Sequence, residues 1–86
     1  MELQVYGPLR AATGEKRVEL QVAAETVGDL VDAFVTEYPR TASQLLDEEG
    51  AIRPSVRIMV DGERATLDRP VADDQAVKVF PAMRGG

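Results

Sequence analysis

The residues of this chain leave few options for chemistry. There is no histidine and no cysteine. That removes the side chain most used as a general base near neutral pH, the commonest metal ligand, the thiolate nucleophile and any disulfide. Asp47-Glu48-Glu49 places three carboxylates side by side ahead of Gly50. They lack the spaced oxygen ligands and turn glycine of a calcium loop, so no metal is expected. What remains is the stretch Val77-Lys78-Val79-Phe80-Pro81-Ala82-Met83-Arg84-Gly85-Gly86 and the α-carboxylate that ends it. Gly85 and Gly86 let backbone pass a channel too narrow for a Cβ. From Pro81 onward, six residues reach about 20 Å when fully stretched, enough to enter a partner's active site. An ionised α-carboxylate resists nucleophiles. It therefore has to be activated, and the usual means is adenylation by ATP on a separate enzyme, after which sulfur or an amine displaces AMP. Gly86 is the expected point of covalent chemistry, Gly85 serves passage, and Arg84, Met83 and Pro81 serve docking. No intrinsic catalytic residue is expected.

A tail of this kind needs a platform, and the upstream pattern supplies one. Leu3 and Val5 alternate with Glu2, Gln4 and Tyr6, the mark of a strand with one face inward. Gly7-Pro8 breaks it, Leu9 to Thr13 reads as one irregular or helical turn, and Gly14 suits positive φ. Lys16 to Val22 alternates again and closes a hairpin. Thr26 is a good helix N-cap with Asp29 in the first turn. Val27, Leu30, Val31, Phe34, Val35 and Tyr38 then share one helical face until Pro39 stops the helix. Leu45 and Leu46 pack inward from a short turn within Arg40 to Asp47. Val56, Ile58 and Val60 form the inward face of a third strand, Asp61-Gly62 is a hairpin signal, and Glu63 to Thr66 returns. Leu67 and Val71 are expected to cover the core edge. Val77 and Val79 alternate with Lys78 and Phe80 in the last strand, which Pro81 ends. The division is a folded domain over residues 1–80 and a flexible tail over 81–86. Alternation places Arg57, Met59, Lys78 and Phe80 together on the open face of the sheet, where a partner is expected.

Composition narrows the class. Eighty-six residues make one domain. Ten basic residues against fifteen acidic ones, net −5, show no Lys/Arg cluster along the chain, so direct binding to nucleic acid is not expected. No apolar run approaches the length that spans a bilayer, and no basic-then-apolar leader stands at the start. A cytoplasmic monomer is the reading. Eight of the ten basic residues are arginines, which with the acidity suits a halophilic host as well as simple solubility. Lys16 and Lys78 are the two lysines, the candidate sites of self-conjugation.

Hairpin, helix and further strands, with a crossover that lays the last strand parallel to the first, describe an α+β fold: a mixed sheet of four to five strands on one main helix. That is the ubiquitin-like β-grasp. Taken with the tail, the chain resembles the MoaD/ThiS sulfur-carrier branch of the ubiquitin-like superfamily over its whole length. The resemblance rests on Leu9-Arg10 with Gly14, on Thr26-Val27-Gly28-Asp29-Leu30 through Tyr38-Pro39, on Val56 to Gly62, and above all on Phe80-Pro81 with Gly85-Gly86. Ala82 stands where that branch commonly has a second proline, and Arg57 where it has a polar residue such as asparagine. Arg84-Gly85-Gly86 is similar to the end of ubiquitin, and the acidic, lysine-poor composition is similar to the small archaeal modifier proteins. The resemblance implies a ubiquitin-activating-type enzyme that uses ATP and magnesium to adenylate Gly86, with no cofactor bound by this chain. It implies two products. One is an isopeptide bond to lysines of target proteins; the other is a thiocarboxylate that donates sulfur for molybdopterin synthesis, on the molybdopterin synthase large subunit, or to a tRNA-thiolating enzyme. A dedicated small subunit of molybdopterin synthase and a non-covalent β-grasp binding module are the alternatives.

Overall fold

The computed structural model describes residues 1–21 and 23–81. Its elements run β1 (Glu2–Val5), α1 (Pro8–Thr13), β2 (Arg17–Glu19), α2 (Val27–Glu37), a 3₁₀ turn (Pro39–Thr41), α3 (Ala42–Leu45), β3 (Arg57–Val60), β4 (Glu63–Arg64) and β5 (Val77–Phe80). The strands form one five-stranded sheet in the order β2-β1-β5-β3-β4. β1 and β2 are antiparallel, β5 lies parallel to β1 and antiparallel to β3, and β3 and β4 are antiparallel. This is the expected β-grasp, and the crossover through α2 accounts for the one parallel pair.

Alternation decides which side of the sheet becomes core. Leu3, Val5, Ile58, Val60, Val77 and Val79 point to one face and are buried there beneath Val27, Leu30, Val31 and Phe34 of α2. Phe34 is the largest fully buried side chain and packs at a tilt against the ring of Tyr38. α2 starts where its cap dictates. Thr26 Oγ1 accepts from the Asp29 amide at 3.2 Å while an Asp29 carboxylate oxygen accepts from the Thr26 and Glu25 amides, each at 3.2 Å. Asp29 thus completes a reciprocal cap beyond its charge on the helix dipole. Two further amides of the first turn find partners across the loop: Val27 donates to the Arg69 carbonyl at 2.9 Å and Gly28 to the Leu67 carbonyl at 2.8 Å. A Cβ on residue 28 would sit 3.2 Å from that carbonyl, so glycine permits the close approach.

The same docking corrects the expectation for Leu67. Its backbone is committed to α2, and its side chain is turned outward at 39% exposure, whereas Val71 does pack on the core. β2 is shorter than the alternation from Lys16 to Val22 suggested: its pairing with β1 ends at Glu19 opposite Glu2, and the Leu20 amide then donates to the Met1 carbonyl at 2.8 Å. Val22 lies outside the described residues. β4 keeps only Glu63 and Arg64, and the chain then turns through a hydrogen bond from Thr66 to Asp68. Leu45 is buried as expected and Leu46 half-buried. Asp61 and Gly62 both have positive φ, 51° and 82°, as a two-residue hairpin of mirror-image type demands.

Candidate functional site

β5 is the central strand of the sheet, and residues 81–86, the stretch expected from the sequence to carry the chemistry, follow it. Val77, Lys78 and Val79 sit opposite Leu3, Gln4 and Val5 of β1, while Val77 through Phe80 sit opposite Val60 through Arg57 of β3. The strand is thereby held from both sides almost to its last residue. Its start is held too. The Asp61 carboxylate accepts from the Ala76 amide at 2.9 Å and from the Gln75 side chain at 3.2 Å, and the Asp61 amide donates to the Ala76 carbonyl at 2.8 Å. Packing extends through Pro81, which is buried beside a depression of about 420 Å³ lined by Pro54, Ser55, Arg57, Arg64, Phe80 and Pro81 itself. Ala82, Met83, Arg84, Gly85 and Gly86 lie outside the described residues.

The face opposite the helix unites the four partner residues named from the sequence. Arg57 stands opposite Phe80 and Met59 opposite Lys78. Arg57 and Lys78 are exposed, and Met59 and Phe80 half-buried. The structure adds residues that spacing alone concealed. Gln4 lies opposite both Arg17 and Lys78, and Met59 opposite Arg64, so Arg17, Gln4, Lys78, Met59 and Arg64 form one row across all five strands. Nearer Pro81, the Tyr6 and Phe80 rings stack with centroids 4.3 Å apart at 12°. The Arg10 guanidinium lies 5.2 Å from the Tyr6 centroid and donates through Nε to the Val5 carbonyl at 3.0 Å. Tyr6 donates to Gln4 Oε1 at 3.1 Å. The alternation of β1 did turn Gln4 and Tyr6 outward, yet their neighbours depend on cross-strand register, which has no local signal. The absence of a basic cluster along the chain is also corrected here: cations scattered at positions 10, 17, 57, 64 and 78 converge on one surface.

The two lysines occupy different settings. Lys78 is central to the open face, whereas Lys16 lies in the turn before β2, where it borders a pocket of about 150 Å³ with Tyr6, Arg10 and Arg17. A cavity of about 480 Å³ opens at the β4 edge against Ile52, Val56, Ile58 and Leu67, and shares only Pro54 and Arg64 with the depression beside Pro81. Desolvation first, then the Glu15 and Glu37 carboxylates, raises the Tyr38 phenol above its ordinary range, so it is neutral at physiological pH. Among the described residues, no helix is long and apolar enough to cross a membrane, and no three carboxylates converge as a metal site.

A five-stranded mixed sheet on one long helix, with its central strand leading into a Gly-Gly end, defines a ubiquitin-like β-grasp protein. The ThiS family profile matches residues 3–86, and the chain belongs to that family. It is 29% identical over 87 residues to small archaeal modifier protein 1 of Haloferax volcanii, covering 100% of both chains. The crystal structure of that relative superposes with a TM-score of 0.90 at 29% identity, covering 100% of this chain and 98% of the other. A chain of the BexX/CysO complex of Amycolatopsis orientalis gives 0.80 at 26% identity, covering 99% and 98%. CysO of Mycobacterium tuberculosis gives 0.78 at 25% identity, covering 95% and 98%.

Proposed function

We propose that this chain is a ubiquitin-like protein modifier and sulfur carrier, a co-substrate whose chemistry resides on the Gly86 carboxylate. The observation that carries the reading is the union of a central strand, paired almost to its last residue, with Gly85-Gly86 five and six residues beyond Phe80. A carboxylate presented from a clamped strand enters a partner's site without disturbing the fold. On a ubiquitin-activating-type enzyme, a Gly86 carboxylate oxygen attacks the α-phosphorus of ATP and pyrophosphate leaves. Magnesium and ATP belong to that enzyme. The mixed anhydride then meets one of two nucleophiles. The ε-amine of a target lysine attacks the carbonyl, expels AMP, loses a proton and leaves an isopeptide bond; hydrosulfide in its place attacks the same carbonyl, expels AMP, loses its proton and leaves a thiocarboxylate.

Neither route asks this chain for an acid or base, in keeping with a sequence free of histidine and cysteine. Arg84 and Met83 dock the tail, and Gly85 gives it passage. The modifier relative and the ubiquitin-like Arg84-Gly85-Gly86 end favour conjugation. Membership of the ThiS family favours sulfur delivery, to the molybdopterin synthase large subunit or a tRNA-thiolating enzyme. We place it in the cytoplasm as a monomer. A variant lacking Gly85 and Gly86 tests the reading in an ATP–pyrophosphate exchange assay with the host's activating enzyme. The expected result is native circular dichroism with exchange lost. A truncated chain that still forms the adenylate would sink the proposal.

A further inference from the structure

Where β1 ends and the chain turns into β2, a pocket of about 150 Å³ is lined by Gln4, Val5, Tyr6, Arg10, Lys16 and Arg17. Three of the ten basic residues of a chain with net charge −5 thus line one small cavity, and no carboxylate is in its wall. The fold brings them there by separate means. Arg17 is placed by register, opposite Gln4. Lys16 is held by its backbone, whose carbonyl accepts from the Val5 amide at 3.0 Å. Arg10 comes from α1 and is fixed by its Nε bond to the Val5 carbonyl at 3.0 Å and by its seat over the Tyr6 ring. Among the described residues none of the three takes part in an ion pair; the pairs found there are Met1 with Glu19 and Arg69 with Glu63. The nearest acids are engaged or stand apart. Glu19 holds the Met1 amine at 2.9 Å, and Glu15 is close enough to Tyr38 to help raise its phenol. Glu2 shares the face of Gln4 but stands opposite Glu19, two residues or about 7 Å farther along β1.

We infer that this pocket binds one tetrahedral oxyanion, free phosphate or the phosphate of a phosphomonoester. Like charges gathered around a cavity repel one another, and a dianion seated among them offsets that repulsion where a single carboxylate would leave most of it. The planar fork of a guanidinium matches the oxygens of such a group in bidentate fashion. Gln4 adds a neutral donor. Tyr6 donates to Gln4 Oε1 at 3.1 Å, which leaves the hydrogens of the amide nitrogen for an incoming oxygen. Size sets the other limit. The cavity is well below the roughly 300–1,000 Å³ of sites that take drug-sized molecules, so a larger ligand enters by its phosphate alone. The site owes nothing to the tail, and the inference stands whether or not Gly86 is adenylated. Lys16 also supplies an internal comparison, because the chain has one other lysine, Lys78, and it does not line this pocket.

The test titrates the full chain with inorganic phosphate at low ionic strength, where exposed charges are least screened, against chloride matched for ionic strength. Backbone amide resonances report the binding. The inference expects a saturable shift centred on Val5, Lys16 and Arg17 that chloride does not reproduce. Arg10→Gln with Arg17→Gln should weaken binding about tenfold or more, the usual cost of losing charge-assisted contacts. Arg40→Gln with Arg64→Gln removes the same charge from exposed positions outside the pocket and should leave Kd within about twofold. Circular dichroism checks each fold. Should the Arg10 variant not fold, Lys16→Gln, in the exposed turn, takes its place with the same direction of effect. A second readout needs no variant: in limited acetylation followed by mass spectrometry, phosphate should slow the reaction at Lys16 and not at Lys78. Glycerol phosphate then separates the sources. Binding as tight as that of phosphate assigns the site to a phosphate borne on a larger molecule, and much weaker binding assigns it to the free anion. No saturable shift, an equal loss in the Arg40 and Arg64 variant, or no selective protection of Lys16 overturns the inference.

Discussion

The two faces of the sheet are made from the same strands and obey different rules. Val77 and Val79 turn inward and are buried, while Lys78 is exposed and Phe80 half-buried on the other side. Inside, any apolar side chain of the right volume serves, because the requirement is to fill space under α2. Outside, identity matters in another way. Arg17, Gln4, Lys78, Met59 and Arg64 have no shared core to fill, and what they share is a row whose charge and spacing are held by register. The inner face produces stability and the outer face presents a surface, so substitutions on the two should separate folding from docking.

The largest stability effect is expected at Phe34. Phe34→Ala should cost about 3–5 kcal/mol, a major share of the roughly 5–15 kcal/mol of a typical domain, and urea denaturation would register it as an early midpoint. A midpoint near wild type would mean that α2 does not organise the core. Next comes the Asp61 clamp. Asp61→Ala removes the acceptors for Ala76 and Gln75 and puts a less tolerant residue at a φ of 51°, at a cost of about 1–3 kcal/mol. Hydrogen exchange should then speed up at the start of β5 before it does in α2; uniform protection would argue that the clamp is incidental. Thr26→Ala loses the reciprocal cap, worth about 1 kcal/mol, a melting shift of roughly 4–8 °C for a chain of this size.

The outer face should show the reverse balance. Phe80→Ala gives up its stacking on Tyr6, about 0.5–1.5 kcal/mol, and Met59→Ala changes stability little. Both should weaken the complex with the activating enzyme while circular dichroism stays native. Unchanged affinity in both would remove the open face from the account. The smallest expected difference separates the lysines. If the open face docks the enzyme, conjugation through Lys78 should obstruct that row, whereas conjugation through Lys16 should leave it clear. Purified conjugates of the two kinds should differ in their rate of adenylation, and equal rates would place the enzyme elsewhere.

These contrasts also explain how far the sequence could be read. The α2 face from Val27 to Phe34, the Thr26 cap and the Asp61-Gly62 turn announce themselves through local periodicity or turn chemistry, the parallel last strand follows from the crossover in the element order, and each is found. Leu67 misled because a backbone commitment to Gly28, invisible in hydropathy, outweighs the burial of one side chain. β4 ends at Arg64 although β3 runs on to Arg57, because the chain turns there through the hydrogen bond of Thr66 with Asp68, which alternation does not reveal. The cationic face was hidden as well: Arg10, Arg17, Arg57 and Arg64 are far apart along the chain, and only pairing across strands joins them. Of the candidate site, Arg57, Met59, Lys78 and Phe80 were legible from alternation alone. Tyr6 and its Arg10 cover required the fold.

The central claim, that Gly86 carries the chemistry, is tested most directly by mass spectrometry of the chain isolated from its host. Trypsin cleaves after Arg84, so conjugation leaves Gly85-Gly86 as a remnant on target lysines, Lys16 or Lys78 of a second copy among them. Sulfur transfer exchanges one carboxylate oxygen of Gly86 for sulfur in the intact protein. The account predicts the remnant and, in a fraction of the free chain, the exchange. Exchange without a remnant under any growth condition would reduce the protein to a dedicated sulfur carrier; an unmodified carboxylate throughout, with no remnant on any lysine, would contradict the claim and leave a non-covalent binding module.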